Sequence, residues 1–225
     1  MITPRLRSIV DCVNTNSVAD IGCDHAYVPI ALIDENRAKK VIACDINEGP
    51  VRIAQENIEK YNKQEFITTR IGAGLSPIED GEVDTVIIAG MGGELIVSIL
   101  NDDLVKAHNT TLVLQPMNDQ HTVRRFLINN GFEIVKEDIA TEGFKVYNVM
   151  VAKSGEMKPF ANEIHYHIPP YLKGHKFYNA LCNKKRRELL KVITGLEKAK
   201  EPDAEKLNEY RNLFKELESE TEDSN

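Results

Sequence analysis

Short apolar runs alternate with amphipathic stretches over the first two-thirds of the chain. Ser17–Ile21, Lys40–Asp45, Glu65–Ile71, Thr85–Ala89 and Thr111–Gln115 read as strands, rich in Val, Ile and Leu and bounded by Gly, Asp or Pro. Between them, Ala26–Asp34, Pro50–Tyr61, Glu94–Leu100 and Thr122–Asn130 carry apolar residues at helical spacing. Pro50 suits a first helical position, and Gly131 suits a helix stop. Phe132–Ile139 and Tyr147–Ala152 are two further strands joined by a short link with Gly143, which predicts an antiparallel hairpin. After residue 174 the pattern becomes wholly helical. Leu189, Ile193 and Leu196, then Leu207, Tyr210, Phe214 and Leu217, recur every three or four residues, with Pro202–Asp203 as the break.

Strand and helix alternating in this way predict an α/β protein, a parallel sheet with helices on both faces. A dehydrogenase-type sheet ends on a parallel strand. Five βα units closed by a hairpin instead resemble the Rossmann-like sheet of class I methyltransferases. Three segments are expected: a Rossmann-like domain over residues 1–155, a connector over 156–174, and a C-terminal α-helical hairpin over 175–225. The hairpin's apolar repeat is read as internal core and not as a dimer seam, so a monomer is expected. Glu218–Asn225 is expected to be disordered.

The chain has 225 residues and a formal net charge of −7. No stretch approaches the roughly 20 apolar residues needed to cross a bilayer. Arg5, Arg7 and Asp11 interrupt the N-terminus, so no signal peptide and a cytoplasmic location are expected. Cys12, Cys23, Cys44 and Cys182 are widely spaced, which predicts buried free thiols and neither a zinc site nor a disulfide framework. His165, Tyr166 and His167 alternate as in a short strand, and no metal is expected there. Charge is uneven: Tyr171–Lys198 holds eight Lys or Arg against two acids, whereas Glu201–Asn225 holds nine acids against three bases. A basic segment followed by an acidic one calls for a partner or a pairing.

The candidate chemistry lies at strand ends. Asp20, Gly22, Cys23, Asp24 and His25 follow the first strand. A glycine there lets a ligand approach the backbone. Asp24 stands where a dinucleotide motif has its second glycine, and carboxylates at this turn repel a diphosphate but welcome a cationic sulfonium amino acid. Asp45 ends the second strand 21 residues later, positioned to accept both ribose hydroxyls, with Asn47 beside it. Gly72, Ala73 and Gly74 form a tight loop after the third strand. Ala89, Gly90, Met91 and Gly92 follow the buried fourth strand, a glycine density that costs entropy unless backbone must come close to something. Gln115, Pro116 and Asn118 follow the fifth, and their amides suit a base edge. An ordinary strand-to-helix turn, or a simple loop in the case of Gly72–Gly74, satisfies each motif taken singly.

Together, DIGCDHAYVPIAL, Asp45 with Gly49–Pro50, IAGMGGELI and LVLQP resemble the bacterial tRNA (adenine-N1) methyltransferase family that modifies adenine 22. The resemblance runs over essentially the whole chain. Three positions depart from the family pattern: Cys23 replaces serine, Ala73 replaces aspartate or asparagine, and Met117 comes between Pro116 and Asn118. The resemblance implies S-adenosylmethionine as cofactor, tRNA as partner, and methyl transfer to N1 of adenine, with Asp24 and Asn118 as candidate catalytic residues. Lys173, Lys176, Lys184, Lys185, Arg186, Arg187 and Lys191 are the candidate phosphate contacts. Alternatives left open are a methyltransferase of another RNA or of a small metabolite, a nucleotide-dependent oxidoreductase, and a non-catalytic RNA-binding protein of the same fold.

Overall fold

The computed structural model describes residues 2–199, 201 and 203–222. Its contacts divide into two compact units, residues 1–159 and 160–225.

In the first unit, helix α1 (Pro4–Asp11) precedes strand β1 (Ser17–Ile21), helix α2 (Tyr27–Asp34), β2 (Lys40–Asp45), α3 (Glu48–Lys60) and β3 (Ile67–Ile71). Then come β4 (Thr85–Met91), α4 (Gly93–Asp102), α5 (Leu104–His108), β5 (Thr111–Pro116), α6 (Gln120–Asn129), β6 (Phe132–Glu142) and β7 (Lys145–Ser154). The strands make one seven-stranded sheet, in the order β3-β2-β1-β4-β5-β7-β6. Neighbours among β1 to β5 are parallel, and β7 is antiparallel to both β5 and β6. The parallel strands are those expected from the alternating pattern, and the closing hairpin completes the Rossmann-like arrangement that the resemblance to class I methyltransferases implied.

The interior strands are apolar on both faces because both faces are covered. Val41 and Ala43 of β2, Ile87 of β4, Val113 of β5 and Val149 of β7 pack with α1, α2 and α3. Their neighbours Ile42, Cys44, Val86, Ile88, Leu112, Leu114 and Met150 pack with α4, α5 and α6. From β1 the chain steps outward to β2 and β3, then returns to the other side of β1 for β4 and β5. The strand order therefore reverses between β1 and β4, and a crevice opens beyond their carboxyl ends.

Two helices went unread in the sequence. Helix α1 is capped by Thr3, whose hydroxyl accepts the N–H of Leu6 at 3.4 Å, and it has Pro4 at its start. Helix α5 has five residues, too few to show a period. The hairpin strands run longer than expected, so only Gly143 and Phe144 separate them.

The second unit holds α7 (Ile164–His167), a 3-10 turn (Pro170–Leu172), α8 (Tyr178–Glu197) and α9 (Ala204–Glu222). The alternation at His165–His167 is one helical turn and not a strand. Within the stretch read as a connector, Ile164, Tyr166, Ile168 and Leu172 are buried. Leu181, Leu189, Ile193, Leu213 and Leu217 are buried along α8 and α9. Helix α9 continues through Glu222, so residues 218–222, expected to be disordered, are helical, while residues 223–225 lie outside the described residues. Pro202, the expected break, also lies outside them.

One buried ion pair ties the hairpin to the sheet's helical layer. Arg124 of α6 and Glu137 of β6 have fully buried side chains and pair directly. Asn148 of β7 donates to the same carboxylate at 2.7 Å. Removing one partner of such a pair strands a charge in the interior. Arg124→Leu is therefore expected to lower unfolding stability by about 3–5 kcal/mol in urea titrations, and Arg124→Leu with Glu137→Leu to regain most of it. A single-variant loss below about 1 kcal/mol would contradict this role.

Candidate active site

The turn after β1 forms the first wall. Gly22 adopts φ +77°, and Asp24 and Ala26, though not glycine, adopt +46° and +56°. Left-handed backbone at such residues costs on the order of 1 kcal/mol each and must be held by its surroundings. The N–H groups of Gly22 and Cys23 donate to the Cys44 carbonyl at 2.8 and 2.9 Å, and Ala26 N–H donates to the Cys23 carbonyl at 2.8 Å. Asn57 of α3 adds its Nδ2, donated to the His25 carbonyl at 3.0 Å. In dinucleotide-binding turns, amides in this position face a diphosphate. Here the first two are turned onto β2 instead.

Two clefts share Gly22 in their lining. The first, about 410 Å³, is lined by Asp20, Cys23, Asp24, His25, Tyr27, Ala89 and Gly90, with Thr3 and Arg5 of the N-terminal segment. The second, about 450 Å³, is lined by Asp45, Ile46, Gly72, Ala73, Gly74, Leu75 and Met91, with Leu95, Ser98, Ile99, Asp102 and Asp103 from the α4 region. A Cβ on Gly22 would collide with the Met91 thioether methyl. The glycine thus leaves room for the Met91 side chain, which lines the second cleft.

Asp20 dominates the electrostatics. It is 6% exposed. Burial, and after it the Asp45 carboxylate, push its pKa up to about 7. A buried carboxylate so placed favours a cation that enters the cleft. Burial also raises the Cys23 and Cys44 thiols, with Asp20 the next cause for both, so neither is a thiolate nucleophile at neutral pH. Asp45 Oδ1 accepts the Asn47 N–H at 2.9 Å, fixing the carboxylate at the strand end. Asp24 is largely exposed, 3.6 Å from His25, and the His25 ring stacks on Tyr27 at 5.4 Å.

Of the fourteen residues assigned to cofactor binding from the sequence, twelve line these clefts. Asn47 and Gly92 do not, and neither do Gln115, Pro116 and Asn118. Gln115 is fully buried, and its Oε1 accepts from Arg5 at 2.8 Å. Asn118 Oδ1 accepts the Gly93 N–H at 3.2 Å at the start of α4. A Cβ on Gly93 would stand 2.6 Å from the Asp119 carbonyl. Part of the glycine density after β4 thus serves packing against the loop after β5.

Arg5 was not foreseen from the sequence. Besides Gln115 it meets the Tyr147 ring at 5.8 Å, and its N–H donates to Glu142 at 2.8 Å. No local pattern marks it, because its partners come from residues 115, 142 and 147. Asn57 was missed for the same reason.

In the second unit the basic residues divide. Arg186 pairs with Glu218 at 2.6 Å, Lys173 with Glu220 at 2.7 Å, and Lys184 and Lys185 approach Glu188 at 3.9 and 3.4 Å. Acidic α9 thus neutralises part of the basic segment. Lys176 lies over the Phe177 ring at 4.9 Å. Arg187 and Lys191 are exposed and four residues apart on α8, hence on one face. His165 binds Glu220 at 2.9 Å.

Residues 2–150 match the family model described as a methyltransferase domain. A Bacillus subtilis tRNA (adenine(22)-N(1))-methyltransferase is 36% identical over 157 residues, 69% of this chain and 66% of that protein. The matched stretch is thus just under two-thirds of that relative's length. Among solved structures, a Streptococcus pneumoniae candidate tRNA (m1A22) methyltransferase superposes with a TM-score of 0.87 at 32% identity, over 97% of this chain and 99% of that one. Its complex with S-adenosyl-L-methionine superposes with a TM-score of 0.85 at 34% identity, over 96% and 99%.

Proposed function

The chain belongs to the methyltransferase-domain family, and from that premise we propose that it transfers a methyl group from S-adenosylmethionine to N1 of adenine 22 in tRNA. The observation that carries the reading is the paired cleft, with buried Asp20 in one half and Asp45 in the other. Such a crevice suits a ligand that is a nucleoside at one end and cationic at the other. It does not suit a diphosphate.

Asp45 accepts the ribose hydroxyls, and Ile46, Leu75, Leu95 and Ile99 give apolar walls for an adenine ring. Ala73 brings no polar group to that ring, where the family usually has aspartate or asparagine. Asp20 and the turn at Gly22–Asp24 take the amino-acid end. S-adenosylmethionine bound there supplies an electrophilic methyl group.

Adenine N1 carries its own lone pair, so no strong base is required. The protein's task is to orient the base. N1 lies on the Watson–Crick edge, so the target must be unpaired or extruded to enter the first cleft. The methylated base is cationic, and Asp24 at the cleft wall favours charge developing there. Gln115 acts through Arg5 and does not itself read a base, and Asn118 holds the start of α4. Arg187 and Lys191 are the leading phosphate contacts, with Lys176 and the partly neutralised Lys173, Lys184, Lys185 and Arg186 behind them. Among the described residues no helix is long and apolar enough to cross a membrane. Action as a cytoplasmic monomer completes the proposal.

The direct test is methyl transfer to unmodified tRNA transcripts. Product is expected as 1-methyladenosine, and none from a transcript with guanosine at position 22. Methylation of both transcripts, or of neither, would overturn the reading.

Asp20 yields a pH signature. Its folded pKa exceeds the unfolded value of 3.8. The native state therefore holds the extra proton between about 4 and 7, and the Asp20 contribution to stability falls as pH rises across that window. A cation favours the carboxylate, so cofactor binding expels the proton. Affinity by calorimetry is expected to rise about 10-fold from pH 6 to pH 8 and to be flat and weaker in Asp20→Asn. An equal slope in both proteins would remove Asp20 from this role.

Arg187→Ala with Lys191→Ala is expected to weaken tRNA binding and to reduce the slope of log affinity against log salt by about 2, with cofactor affinity kept. An unchanged slope would exclude both side chains as phosphate contacts.

A further inference from the structure

The β6–β7 hairpin ends in a side chain that nothing in the cofactor site uses. Phe144 is 98% exposed, the highest exposure among the large apolar side chains described. Gly143 beside it, at φ +58°, makes the turn, which places no demand for an aromatic on its neighbour.

Its location follows from strand register. Leu114 of β5 pairs with Met150 of antiparallel β7. Pro116, the last residue of β5, is therefore level with Asn148, and Phe144 lies four residues farther, about 13 Å past the sheet's carboxyl edge. The crevice opens at that edge. Glu142, at the foot of the tip, accepts the Arg5 N–H at 2.8 Å, and Arg5 lines the first cleft together with Asp20 and Gly90. The tip is thus tied to the cleft wall. Next to Phe144 stands Lys145, also exposed.

Asp20 and Asp24 disfavour a phosphate inside the first cleft, where the Arg5 guanidinium is engaged by Gln115, so charge there does not hold an extruded nucleotide. A neutral aromatic face can, because every base has a π-face. We propose that Phe144 is a stacking contact for an unpaired nucleobase next to the methylated adenine, with Lys145 meeting the adjoining phosphate. The inference rests on the tRNA-methyltransferase reading and adds a substrate-positioning residue to it.

The chain has no tryptophan, so Phe144→Trp introduces a single indole reporter at the tip. Three proteins are compared on unmodified tRNA: wild type, Phe144→Ala and Phe144→Trp. For Phe144→Ala, kcat/KM toward tRNA is expected to fall about 10- to 100-fold, carried mainly by KM, with the melting temperature and S-adenosylmethionine affinity of wild type. Phe144→Trp is expected to keep activity within a few-fold and to show indole emission quenched by tRNA to saturation. Wild-type turnover with an unaffected Phe144→Ala, or with indole emission unmoved at saturating tRNA, overturns the stacking contact alone. Loss of S-adenosylmethionine affinity or of thermal stability in Phe144→Ala makes the residue structural and likewise overturns it. Absence of wild-type turnover on tRNA overturns the parent reading, and this inference falls with it.

Discussion

A carboxylate kept out of water at the end of β1 is the constraint on which the site depends. Asp20 is buried where the strand order reverses, and its neighbour across the crevice is another carboxylate, Asp45. Burial first, and the Asp45 charge after it, raise the cost of ionising Asp20. The arrangement is tolerable if a cation arrives, and the sheet supplies the opening through which it can. The turn that follows obeys the same demand. Its first two amides bond to Cys44 and so take no part in holding an anion.

Around that constraint the other parts act as supports. Gly22 leaves room for Met91, Gly93 leaves room for the loop after β5, and Asn118 ties that loop to α4. The hairpin closes the far side. Through Glu142 it grips the backbone of Arg5, whose side chain reaches Gln115. The buried Arg124–Glu137 pair anchors the same hairpin to α6. One edge element thus helps build a cleft wall and also carries an exposed aromatic past the sheet.

Charge in the second unit follows a different logic. The basic run of α8 and the acidic run of α9 were an unexplained asymmetry along the chain. In the folded unit they partly cancel, as Arg186 meets Glu218 and Lys173, ahead of α8, meets Glu220. What is left over, Arg187 and Lys191 on one face, is a smaller and more directional positive surface than composition suggested.

The sequence by itself determined the elements and their kind. Short apolar runs mark the parallel strands and spacings of three to four residues mark most helices, because burial on two faces or on one stripe leaves a local imprint. It determined most of the crevice too, since ligand-facing groups in an open α/β sheet lie at strand ends, and Asp20, Gly22, Asp45, Gly72 and Gly90 are readable there. Tertiary structure alone decided what the amides of Gln115 and Asn118 bond to, that Arg5 and Asn57 join the site, and which lysines and arginines pair with acids among the described residues. It also decided that α9 runs to Glu222 and that His165–His167 is helical. In each case the deciding partner is distant in sequence, and a hydrogen bond or ion pair between distant residues leaves no period along the chain to read.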